Sequence, residues 1–240
     1  KDGLMNPSDV ESAIRGANIH YAPPGLICVE NTHNRGGGTV YNLDRLAGIK
    51  EVADRHGLPM HLDGARIFNA SIALGVEASA IASYFDSVQF CLSKGLCAPV
   101  GSMLVGRHAF IERARSVRKL LGGGMRQVGV LAAAGLVALE KMPARLEEDH
   151  RNARLLAELL QKIVGLEVQP ERVHTNILMA DITRADLDSG TLVGRLKQHG
   201  VLVSALDAVR LRLVTHNDVS REQIHQAADA IAKCVNAGRM

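Results

Sequence analysis

Short apolar runs of strand length alternate with amphipathic stretches of helix length through the first half of the chain, and this alternation constrains the fold more than any other feature. Residues 26–30 read as a short strand. Residues 42–56 read as a helix with Leu43, Leu46, Ile49, Val52 and Ala53 on one face and Gly57-Leu58-Pro59 as its stop signal. Further strands are expected at 60–62, at 87–92 and, after a turn at Pro99-Val100-Gly101, at 102–105. Short apolar strands separated by helices imply a mostly parallel sheet covered on both faces. In such sheets ligands bind at the carboxyl ends of the strands, and both Asp63 and Lys94 fall at such ends.

Residues 109–120 form a basic amphipathic pattern that stops at Gly122-Gly123-Gly124. Residues 127–141 are apolar almost all round and are expected to be buried, between subunits or domains. Met142-Pro143 breaks this run, and 146–163 follow as a long amphipathic helix. After Gly165 the pattern is that of a compact α+β unit, with strands at 166–168, 176–180, 201–204 and 209–214, a helix around 191–199 and a closing helix over 220–235. These patterns divide the chain into a large domain, 1–142, and a small α+β domain, 143–240. The chain opens at Lys1 and enters an N-capped helix after Asn6-Pro7-Ser8-Asp9, so further sequence upstream is expected.

Composition narrows the function classes. The 240 residues are 47% hydrophobic and 22% charged, as in an ordinary globular protein with a sizeable core. Net charge is +3 with no basic block, and aromatics make up only 3%, which argues against a nucleic-acid groove. No apolar stretch approaches a membrane span, and no signal peptide is expected. Cys28, Cys91, Cys97 and Cys234 form no CxxC pair and read as reduced core residues of a cytosolic protein. No GxGxxG opens a helix, which argues against dinucleotide binding.

Three features carry chemistry. His61-Leu62-Asp63-Gly64-Ala65-Arg66 puts an acid at a strand end with Arg66 just after it. Ser93-Lys94-Gly95 ends a later strand, and Arg212 lies in Arg210-Leu211-Arg212-Leu213-Val214-Thr215-His216. Each has a bland reading: Asp63 as a helix N-cap, Lys94 as an ordinary solvated lysine, Arg212 as a surface charge. Together and in this order they suggest pyridoxal phosphate. The lysine forms an imine with the cofactor aldehyde, and burial is expected to lower its pKa. The acid keeps the pyridine nitrogen protonated, and the arginine grips a substrate carboxylate in a two-point fork. No metal is called for.

HLDGARIFNA, LSKGLCAPVGS, ENTHN at 30–34 and RLVTH at 212–216 resemble the low-specificity L-threonine aldolases, pyridoxal-phosphate enzymes of the aspartate-aminotransferase fold. The resemblance covers essentially the whole chain. It implies an α/β fold of type I, with a mostly parallel large domain incomplete at its N-terminus and a small α+β domain. Lys94 is then the Schiff-base lysine, Asp63 the pyridinium partner, Arg212 a substrate-carboxylate ligand, and Arg66 a neighbour of the cofactor hydroxyl and the substrate carboxylate. His20 matches a histidine near the substrate β-hydroxyl, as base or as orienter of a catalytic water. His33 is a second candidate, although Asn31, Thr32 and His33 read more simply as shaping the loop under the site. Arg126 and Lys119, which flank the triple glycine, approach the cofactor phosphate in the family, from a neighbouring subunit. The bland reading makes Lys119 a helix-dipole partner. Gly36–Gly38 read as a flexible turn.

Two departures stand out. The family has an arginine soon after the His20 position, where this chain reads Ala22-Pro23-Pro24-Gly25. The family also begins well upstream of Lys1, with a segment that supplies phosphate donors and an imidazole stacked on the ring. The implied reaction is retro-aldol cleavage of L-threonine, L-allo-threonine and related β-hydroxy-α-amino acids to glycine and an aldehyde, in a cytoplasmic homo-oligomer, dimer or tetramer, whose site is shared between subunits. The rivals are another type I enzyme such as a β-eliminating lyase, because shared residues fix the cofactor and not the bond broken, and a non-catalytic fragment lacking part of the cofactor pocket.

Overall fold

The computed structural model describes residues 2–16 and 18–237. The chain divides into two compact units. One holds Gly3–His33 and Val40–Ala144; the other holds Asp2, Asn34–Thr39 and the chain from Arg145 onward. The segment Asn34–Thr39 therefore groups with the C-terminal unit, although it lies far upstream in sequence.

The first unit runs α1 (Pro7–Ala13), β1 (Ile27–Glu30), α2 (Leu43–Arg55), β2 (Met60–Asp63), α3 (Ile67–Leu74), α4 (Ala78–Ala82), β3 (Ser87–Cys91), β4 (Ser102–Gly106), α5 (His108–Leu120) and α6 (Gly129–Lys141). The sheet order is β1-β2-β3-β4, parallel from β1 to β3 and antiparallel at β4. Helix α2 starts where expected, because the Asn42 side chain accepts the Arg45 N–H. Its Leu46, Ile49, Val52 and Ala53 join Ile27, Val29, Met60, Leu62 and Val88 in one core.

That core covers one face of the sheet only, which corrects the expectation of two covered faces. The strands alternate with period two, and on the opposite face Cys28, Glu30, His61, Asp63, Gln89 and Cys91 are half-buried or exposed, while Ser87 is buried beside His61. Two cysteine expectations fail for the same reason: Cys28 is exposed and Cys91 half-buried on this polar face. Cys97 is exposed too, and only Cys234 is buried. Helix α6 is largely apolar and only partly covered within the single chain. Gly135 and Ala138 are its buried residues, while Val130, Leu136 and Val137 are exposed.

The second unit runs α7 (Leu146–Leu160), β5 (Leu166–Glu167), a 3₁₀ turn (Pro170–Arg172), β6 (Ile177–Ile182), α8 (Ser189–Gln198), β7 (Ser204–Ala205), β8 (Arg210–Val214) and α9 (Arg221–Asn236). Its sheet is antiparallel throughout, in the order β5-β6-β8-β7. Leu156, Leu160, Leu178, Leu192, Leu211, Leu213 and Ile231 form its core. Ser220 opens α9 through a capping box with Gln223. Strand β7 begins later than the expected 201–204. Gly200 turns left-handed at φ +76°, and the Val201 N–H is spent on the Leu196 carbonyl, closing α8 instead of pairing a strand.

His150 on α7 is only 9% exposed, and burial, helped by the Arg154 charge, pushes its pKa from 6.5 down to about 4. The folded chain thus keeps this imidazole neutral. Its stability contribution is complete above 6.5 and is lost as pH falls from there towards 4. His150→Gln is expected to reduce the stability difference between pH 7 and pH 5 by up to about 2 kcal/mol, read by urea unfolding at each pH. An unchanged difference would show that His150 does not carry this dependence.

Candidate functional site

Asp63 ends β2, and its carbonyl accepts the Asn31 N–H at 3.0 Å, which carries the β1–β2 ladder into the ENTHN loop. Asn31 and Thr32 are buried there, and Asn31 Oδ1 accepts the Tyr41 N–H. His33 is half-buried with Nε2 3.5 Å from a Glu30 carboxylate oxygen. The next residue, Gly64, donates its N–H to the Gln89 carbonyl at 2.8 Å. A Cβ at Gly64 would meet that same oxygen at 3.0 Å, so a larger residue here would press on the β3 backbone where β2 approaches it.

The Asp63 side chain is exposed and does not cap α3, whose N-cap position is Arg66. Instead Oδ1 accepts two hydrogen bonds, from the Ala65 N–H and from Gln89 Nε2, each at 3.1 Å. Oδ2 takes none from the described residues. The acid is held by one oxygen and offers the other. Arg66 is half-buried beside it in sequence, at the turn into α3.

Lys94 lies just beyond β3, in a loop folded on itself. The Leu92 N–H donates to Gly101 O at 2.9 Å, the Ala98 N–H to Leu92 O at 3.1 Å and the Cys97 N–H to Lys94 O at 2.9 Å. Leu92, Leu96 and Ala98 are buried and anchor the loop, while Lys94 is exposed. The expected burial of Lys94 is therefore corrected: apolar neighbours fix the backbone, and the ammonium makes no ion pair with a described residue. Asp63 and Lys94 stand at the carboxyl ends of adjacent parallel strands.

Lys119 and Arg126 are both exposed and flank the glycine turn, where Gly122 has φ +84° and a Cβ on Gly124 would lie 2.6 Å from Lys119 Cδ. His20 is exposed in a turn between α1 and β1, its backbone N–H donating to Asn18 Oδ1 at 2.8 Å.

Arg212 belongs to the second unit, on β8, and is half-buried. Its Nη2 donates to Asn34 Oδ1 at 2.7 Å, and its Nε is buried without a partner among the described residues. Burial lowers its pKa from the usual arginine value. A guanidinium with an uncommitted buried donor is suited to receive a carboxylate. Sequence reasoning missed two residues. Gln89 is a polar residue in the middle of an apolar strand run, which is itself a signal. Asn34 carries no local signal for its contact with Arg212.

The Beta-eliminating lyase family model matches residues 1–185. The chain is 44% identical over 228 residues to low-specificity L-threonine aldolase 1 of Arabidopsis thaliana, covering 94% of this chain and 64% of that one. It is 44% identical over 227 residues to the low-specificity L-threonine aldolase of Escherichia coli K12, covering 95% of this chain and 65% of that one. The chain thus spans just under two thirds of the length of these relatives. The Leishmania major threonine aldolase structure superposes with a TM-score of 0.76 at 20% identity, over 98% of this chain and 68% of that one, and shares its fold. With the family pattern matched across most of its length, the chain belongs to the beta-eliminating lyase family.

Proposed function

We propose that the protein is a pyridoxal-phosphate-dependent aldolase that cleaves L-threonine, L-allo-threonine and related β-hydroxy-α-amino acids to glycine and an aldehyde. The observation that carries this reading is the pair at the carboxyl ends of β2 and β3: Asp63 with Oδ2 uncommitted, and Lys94 held out on an anchored loop. The donor set fits the cofactor. An amine is available for its aldehyde, and a free carboxylate oxygen for a pyridinium N–H. Bound there, pyridoxal phosphate supplies an aldehyde carbon for Lys94 and an aromatic ring that takes up electrons released at the substrate Cα.

The chain's own residues do the rest. Lys94 tethers the cofactor, and Asp63 Oδ2 keeps the ring nitrogen protonated. Arg66 neutralises charge at the cofactor hydroxyl and the substrate carboxylate. Arg212 receives that carboxylate through donors not spent on Asn34, which fixes the orientation of the Cα bonds. His20 takes the β-hydroxyl proton, directly or through water. Lys119 and Arg126 give the phosphate positive charge, from a neighbouring subunit. In this reading residues 1–142 form the cofactor domain and 143–240 the small domain, and the protein is a cytoplasmic homo-oligomer. No described helix is long and apolar enough to cross a membrane.

A β-eliminating activity is the second reading, favoured by the description of the matched family. The test begins with pyridoxal phosphate added to the protein, borohydride reduction and peptide mass mapping. A single pyridoxyl adduct on Lys94 is expected. Threonine and serine are then supplied in parallel. Glycine and acetaldehyde from threonine support the aldolase, whereas pyruvate and ammonia from serine, with threonine left uncleaved, select elimination. Adducts scattered over surface lysines would overturn the site assignment.

A further inference from the structure

Gln89 stands directly beside Asp63. The parallel register pairs their Cα positions, and Nε2 of Gln89 donates to Asp63 Oδ1 at 3.1 Å. The Ala65 N–H donates to the same oxygen, also at 3.1 Å. An aspartate carboxylate left alone turns broadly about its terminal bond, in a nearly two-fold well. Two donors converging on one oxygen remove that symmetry and leave Oδ2 as the oxygen on offer.

The amide is itself oriented. Cys91, two residues along the same strand and on the same face, places Sγ 3.7 Å from Gln89 Oε1 and donates its thiol hydrogen there. Accepting at Oε1 while donating from Nε2 selects one of the two amide flips. A half-buried amide in an otherwise apolar strand costs free energy unless both its ends find partners, and here both do.

Resting on the pyridoxal phosphate reading above, we propose that Gln89 is a positioning residue. It holds the Asp63 carboxylate so that Oδ2 receives the ring N–H, and Cys91 holds Gln89 in turn. Gln89 acts through Asp63 and sets how firmly the ring nitrogen keeps its proton.

The test has an arm without cofactor and an arm with it. In the unloaded protein, Hα–Hβ couplings report the Asp63 χ1 rotamer, which the two contacts to Oδ1 fix together with the carboxylate orientation, expected to be single in the wild type and averaged in Gln89→Leu. In the loaded protein, pyridoxal phosphate labelled with ¹⁵N at the ring reports protonation, expected to be complete in the wild type and partial in Gln89→Leu. Cofactor affinity is expected to fall about 3- to 10-fold, the range for losing one ordinary hydrogen bond. Gln89→Glu, which sets a like charge against Asp63, is expected to lose at least as much. Cys91→Ala, which leaves Gln89 in place, is expected to shift both signals in the same direction by less, and it serves if Gln89→Leu does not fold. An unchanged Asp63 rotamer and an unchanged ¹⁵N shift in the variants would overturn the proposal. If the wild type takes no cofactor at Lys94, it is the cofactor reading that fails, and the couplings in the unloaded protein alone decide whether Gln89 holds Asp63.

Discussion

On the proposed function, Lys94→Ala is expected to lose the reducible pyridoxyl adduct altogether and to slow threonine cleavage by at least about 10³-fold, since it removes the covalent tether and nucleophile. The fold should not suffer. Lys94 is exposed, and its loop is held by the buried Leu92, Leu96 and Ala98 and by backbone bonds that alanine retains. A surface change of this kind shifts stability by no more than about 0.5 kcal/mol. Lys94→Arg separates charge from chemistry. It keeps a cation at the end of β3, but a guanidinium that stays protonated does not form an imine. The arginine variant should therefore be as inactive as the alanine variant, with an unchanged melting temperature. Threonine cleavage retained in Lys94→Arg would move the tether to another lysine and undo the assignment of the site.

Arg145→Met is expected to destabilise the second unit by about 3 kcal/mol at pH 7, the lower end for removing one partner of a buried ion pair. Asp149, in the first turn of α7, is fully buried. Both Nη atoms of Arg145 donate to its Oδ1, at 2.8 and 2.9 Å, and Oδ2 is buried without a partner among the described residues. Burial raises the Asp149 pKa above 3.8, with the Arg145 and His216 charges opposing the rise. A carboxyl whose folded pKa is raised favours the folded state when protonated. That contribution is complete below the unfolded value of 3.8 and is lost as pH rises through the folded value. Removing Arg145 raises the folded value further, so the variant should suffer most at neutral pH and converge on the wild type as pH falls towards 4. Urea unfolding from pH 4 to pH 7 reads this directly. The double variant Arg145→Met with Asp149→Asn should recover part of the loss, because no buried charge is then left unpaired. A loss that is equal at all pH values would mean that Arg145 matters for packing and not for its charge.

The sequence by itself determined the elements and their polarity. The spacing of Leu46, Ile49, Val52 and Ala53 marks α2, Asn42 and Ser220 mark helix starts, and Asp63 and Lys94 mark strand ends. These are short-range facts, set by periodicity and by caps within a turn of the residues they serve. What only the tertiary structure decided is which side chains meet. The register of β2 against β3 puts Gln89 on Asp63, although 26 residues separate them. The grouping of Asn34 with the C-terminal unit puts its side chain on Arg212 across 178 residues. The exposure of Lys94 and Cys28 follows from how the loop is anchored and which sheet face the core covers, and no local pattern records either. A hydrogen-bond partner far along the chain is chosen by distance in space, whereas periodicity and capping are chosen by distance in sequence, so the elements were legible and the contacts that give the site its geometry were not.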